Sequence, residues 1–175
     1  MRQANVEACP THGEMMDDPL ATYLHDHLAG CAHAVDLLKA IRDQQTSKPL
    51  GHFADYLLRE IEADGDTLRK LADSIGVASS NLKEMGAWVE EKISRLKLRD
   101  LDRDSVGTFE ALEFLRLGIH GKAALWSVLA IIAATDRRLS GIDFRSLSGR
   151  AEAQEMAVEE WRLKVAETVF GTSSV

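Results

Sequence analysis

Apolar residues recur every three or four positions along most of the chain, and no convincing run of alternating apolar and polar residues argues for a strand. Leu20, Leu24, His27, Cys31, Ala34, Leu38 and Ile41 line one face of a first helix. The acidic pair Asp17 and Asp18 supplies its cap, and Pro19 sits where a first-turn proline is tolerated. The polar stretch 43–48 ends it. Beyond Pro49 and Gly51 the period resumes at Phe53, Leu57, Ile61, Leu68, Leu71 and Ile75, and Gly76 is placed to close this second helix. A link this short makes the two helices an antiparallel hairpin.

The pattern thins over 77–104. Asn81 with Glu84 resembles a capping box, and Trp88, Ile93 and Leu96 give a sparse stripe, so a shorter connecting helix is expected there. Asp102, Asp104 and Ser105 offer caps for a long third helix over 106–135, apolar nearly all round between 123 and 134. That helix should be central and the most buried. Ser146, Leu147, Ser148 and Gly149 read as part of a loop, and a fourth helix follows over 151–170. Residues 1–17, with Pro10 and Gly13 and no period, read as an N-terminal arm. Residues 18–171 then form a single helical domain and 172–175 a tail. Helices of roughly 40 Å in two hairpins, joined by a long helical connection, give an all-α four-helix bundle.

In this order of long, long, short, long and long helices the chain resembles the ferritin-like superfamily over residues 18–170. The resemblance implies an up-down four-helix bundle with a helical crossover between its hairpins, and a homodimer of bundles pairing side by side. It also directs attention to carboxylates and imidazoles that interrupt the apolar seams, where they would hold iron or manganese. His27 lies on the first helix, Glu60 and Asp64 flank Ile61 on the second, Glu113 and His120 stand seven residues apart on the third, and Glu160 is on the fourth. The family places a Glu on each of two helices and Glu-x-x-His on each of the other two. This chain contains no Glu-x-x-His. Lys122 and Arg116 fall on the same part of the third helix, where they can neutralise carboxylates in place of a metal.

Composition narrows the function classes. At 175 residues with 45% hydrophobic and 28% charged positions, one domain with a substantial core is expected. A net charge of −7 gives no general attraction for phosphates, so nucleic acid is not expected as a partner. Two cysteines, Cys9 and Cys31, make neither a disulfide framework nor a zinc quartet, although Cys9 and His12 form a C-x-x-H fragment. The first residues lack the apolar core of a leader, and the apolar window 123–134 is shorter than the about twenty residues that span a bilayer. A cytoplasmic location without membrane association is the expectation. Gly118 and Gly121 imply close approach by a neighbouring helix or by a ligand.

Three function classes remain. The leading expectation is a non-catalytic bundle with a degenerate metal site and no cofactor, acting through self-association or an unidentified protein partner. The second is an iron or manganese oxidoreductase or metal-storage protein using the six residues above. The third is a small-ligand carrier with a cleft between Gly118 and Lys122.

Overall fold

Four long helices account for nearly all of the residues that the computed structural model describes, 18–76 and 105–171. They are α1 (Pro19–Gln44), α2 (Pro49–Ile75), α3 (Val106–Ile132) and α4 (Phe144–Phe170), with one short 3-10 turn, Arg137–Leu139, ahead of α4. No strand occurs among the described residues. The expected arm, the connecting helix within 77–104, the Cys9 and His12 fragment and the tail lie outside them.

The helix ends follow from local chemistry. Asp18 Oδ1 accepts the Leu20 amide at 3.0 Å, and Pro19 needs no donor of its own at the start of α1. Gly76 takes φ 85°, a left-handed conformation that lets its amide reach the carbonyls of Ala72 and Asp73 and stop α2. Of the three cap candidates before α3 the fold uses Ser105, whose Oγ accepts the Thr108 amide at 3.1 Å. Gly51 is glycine for a steric reason: a Cβ there would run into the Gln45 carbonyl of the α1–α2 link.

Helix α4 begins earlier than the sequence pattern suggests. Asp143 caps it by accepting the Ser146 amide at 3.0 Å, so Ser146 to Gly149 are helical rather than loop. Ser148 is buried on this added turn and bonds the Ser127 hydroxyl at 2.9 Å and the Ala123 carbonyl at 3.3 Å. Partners from α3 therefore satisfy a serine that looked like a loop residue.

Two apolar clusters fill the interior. The first combines Leu37, Leu38 and Ile41 of α1 with Leu50 to Ile61 of α2, Ala111 to Ile119 of α3, and Val158 and Val165 of α4. The second joins Leu24 and Leu28 to Leu68 and Leu71, to Ala123, Leu125, Trp126 and Leu129, and to Phe144 and Ala151. Late α1 thus meets early α2, so α1 and α2 are antiparallel, and the same reasoning makes α2 parallel to α3. Bonds from Ser127 to Ser148 and from Arg162 to Glu113 make α3 and α4 antiparallel. The ends Gly76 and Ser105 consequently lie at opposite ends of the bundle.

Helix α3 departs from its expected role. Ala123, Leu125, Trp126 and Leu129 are buried, but Leu117, Ala124, Val128 and Ile131 face outward. Only 33% of its most apolar 18-residue window is buried, and by length and composition alone that helix is long and apolar enough to cross a membrane. It is a wall of the bundle with one apolar face in the core and one that no other helix covers among the described residues.

Trp126, 0% exposed and stacked 6.1 Å from Phe144, anchors the second cluster. Trp126→Ala should lower stability by about 3–5 kcal/mol. Urea unfolding checks this, and a loss under about 1 kcal/mol would mean that the cluster closes without the indole.

One surface group ties distant elements together. Arg138 Nη1 donates to Asp18 at 2.6 Å while its Nη2 holds Asp136 at 2.7 Å, which joins the start of α1 to the α3–α4 loop. Its hydrogen bonds hold both carboxyls below their ordinary value of 3.8. Because the folded values are depressed, the associated stability is complete above that value and is lost as pH falls through the lowered ones. In Arg138→Ala the Asp18 and Asp136 resonances should titrate closer to 3.8, with a smaller acid-dependent loss of stability. NMR carboxyl titration measures the shift; unchanged midpoints would remove Arg138 as its cause.

Candidate functional site

Between the two apolar clusters lies a polar layer at mid-bundle. Each contributing helix passes from one cluster to the other at this level: Ile61 to Leu68 on α2, Ile119 to Ala123 on α3, Val158 to Ala151 on α4. Asp64 sits there with 1% exposure. A carboxylate so far from water demands partners, and two cations supply them. Lys122 Nζ of α3 donates to Asp64 Oδ2 at 2.5 Å, and Arg150 of α4 donates to Asp64 Oδ1. Lys122 also donates to Gln154 Oε1 at 2.5 Å, and Gln154 Nε2 donates to Glu60 Oε2 at 3.0 Å. Tyr56 completes the chain through its hydroxyl to Glu60 Oε1 at 2.7 Å. One network therefore links α2, α3 and α4.

Burial pulls the Lys122 amine below the usual lysine value, with Asp64 opposing that shift. The layer continues into α1 through Cys31, whose thiol donates weakly to the Ile61 carbonyl at 3.8 Å and is pushed above its ordinary pKa by burial. Cys31 Sγ lies 2.7 Å from where a Cβ on Gly65 would stand, so the glycine makes room for the sulfur. An apolar-packed thiol of raised pKa is a poor nucleophile.

The six candidate ligands are distributed rather than gathered. Asp64 and Glu60 share the network through Gln154. His27 is half-buried on α1, edge-on to Tyr23 at 4.7 Å, and burial holds its imidazole below the ordinary value against the pull of Asp26. Glu113 is paired with Arg162 at 3.3 Å, and His120, on the rim, meets Glu155 at 3.0 Å. Glu160 is exposed on α4. No three His, Cys, Asp or Glu side chains among the described residues converge as a metal ion requires. Arg116 pairs with Glu155 at 3.1 Å and Glu159 at 3.2 Å, forming a second ionic seam between α3 and α4.

Arg150 and Gln154 escaped the sequence reading. The signal was present: Gln154 stands between Ala151 and Val158 in the apolar seam of α4, where a neutral amide needs a buried partner. Gly118 and Gly121 differ from the expected close packing, since nothing lies within 4 Å of a Cβ at either. Gly118 instead borders a cavity of about 50 Å³ that is lined from α1 by His27, Gly30 and Cys31 and from α3 by Lys122 and Trp126.

Removing one partner of a buried ion pair leaves the other charge stranded. Asp64→Leu should cost about 3–5 kcal/mol, and Lys122→Met should destabilise in the same direction. Asp64→Leu combined with Lys122→Met should cost clearly less than the two single changes added together. Denaturant unfolding of the full cycle reads the coupling; simple additivity would show that the two groups do not interact.

No family model, curated protein or solved structure matches this chain, so its own geometry carries the functional reading.

Proposed function

We propose that this protein is a non-catalytic bundle of ferritin-like arrangement that works by association, its first partner being a second copy of itself. The observation that carries this reading is the outward face of α3, where Leu117 is 63% and Ile131 75% exposed, in line with Val106, Ala124 and Val128. Contiguous exposed apolar strips of this kind mark interaction surfaces.

The strip is suited to pairing with itself. Leu117 and Ile131 lie seven residues on either side of Ala124. An antiparallel partner related by a two-fold axis at Ala124 sets Leu117 of each copy against Ile131 of the other, with the small Ala124 at the close approach. The same operation brings exposed Glu110, near one end of the strip, toward exposed Arg137 beyond the other. Charge complementarity at the rim and apolar contact at the centre are the usual division of an interface. Helix neighbours also support the ferritin-like arrangement: α1 contacts α2 and α3, while α4 contacts α3 and α2. Pairing of Asp64, Glu113, Glu155 and Glu159 with Lys and Arg supports a bundle in which cations have taken the place of a metal.

Sedimentation equilibrium tests the reading. The full chain should be dimeric at micromolar concentration, and Leu117→Glu with Ile131→Glu should give a helical monomer, since both side chains are exposed. Glu110→Arg should weaken the dimer and Arg137→Glu in the same chain should restore it. A wild-type monomer at all concentrations, or a dimer indifferent to these changes, overturns the proposal.

A further inference from the structure

We infer that the cleft between α1 and α3 is a binding site for a small carboxylate, whose head is held by Lys122 Nζ and Trp126 Nε1 and whose tail leaves past Gly30 and Gly118. The inference stands apart from the association reading and uses a different face of α3.

The strongest indication is Trp126. Its side chain is fully buried and lines the cavity, yet its indole Nε1 has no hydrogen-bond partner. Phe would fill the same core without stranding a donor, and an unmet buried N–H is costly. A ligand oxygen would meet it. Lys122 lines the same cavity and spends two of its three donors on Asp64 and Gln154, which leaves one hydrogen for a further acceptor.

Unspent donors select a ligand that accepts. Asp64 also borders the cavity, but Lys122 and Arg150 both reach it, so the buried carboxylate is met by two cations. Glu60 touches this group only through the neutral amide of Gln154. Across the network two cations balance two carboxylates, so the preference for an anion rests on the two unspent donors, the Trp126 N–H and the third hydrogen of Lys122, whose charge-assisted bond low dielectric strengthens. His27 and Cys31, the remaining titratable groups on the lining, carry no negative charge in their neutral forms.

Shape selects the rest. The cavity's roughly 50 Å³ is about a third of the ~150 Å³ that accommodates a benzene ring, enough for a head of two or three non-hydrogen atoms. Ala34, Ile61 and Leu68 offer apolar surface beside it. Gly30 and Gly118 are exposed, border the cavity and have open space where a Cβ would be. Glycine on both helices keeps the mouth clear for an alkyl tail.

Isothermal titration of the full chain with formate, acetate, butyrate and hexanoate, with chloride and methylammonium as controls, decides the matter. We expect one saturable site that prefers the longer acids to chloride and ignores methylammonium. Trp126→Phe, which keeps the ring and deletes the donor, should weaken binding about tenfold. Lys122→Met should abolish it. Gly118→Leu, a change at an exposed position, should leave formate binding and exclude hexanoate. Absence of saturable binding by wild type, equal affinity in Trp126→Phe, chloride binding as tightly as the acids, or hexanoate binding unaffected by Gly118→Leu each overturns the inference.

Discussion

A single buried carboxylate organises this bundle. Asp64 lies in the α2 seam between Ile61 and Leu68, where a helical period alone would call for an apolar residue. Taking that charge out of water is unfavourable by several kcal/mol unless cations and hydrogen bonds replace the solvent. Lys122 from α3 and Arg150 from α4 do so together, which ties both helices to α2 at this level. The network therefore selects one alignment of three helices from those that apolar packing by itself would tolerate.

The same layer divides the core. Apolar clusters above and below it are continuous within themselves, while the level between holds Asp64, Lys122, Gln154, Cys31 and Gly65. Close packing at that level falls to the Cys31 sulfur against Gly65 on the α1 side, and the space next to it stays open toward Gly30 and Gly118. Long polar side chains reach across the bundle and leave less apolar volume beside them than a leucine layer would. Cleft and ion network are thus consequences of one substitution pattern.

Helix α3 serves both sides of this arrangement. Its inner face supplies Trp126 and Lys122 to the core and the cleft, and its outer face carries Leu117, Val128 and Ile131. A helix apolar all round buries fully only when neighbours surround it. Among the described residues α3 has two flanking helices, α1 and α4, which leaves the outer strip for another surface.

Much of the fold was legible in the sequence because helix formation is decided locally. The 3.6-residue period gives the helices their extent, and Asp18 and Pro19 before α1 and Gly76 after α2 fix two boundaries through contacts within a few residues. Burial of Trp126 followed from its place on the most apolar segment, and Lys122 was already conspicuous as a cation opposite carboxylates. Tertiary structure alone decided which carboxylate Lys122 would meet, that Arg150 and Gln154 would join it, and that α4 would begin at Phe144. It also decided which side of α3 the other described helices leave exposed and that Gly118 would border open space instead of a packed helix. The physical reason is that periodicity reports which face of a helix is apolar, whereas coverage of that face and pairing of a buried charge depend on several helices at once.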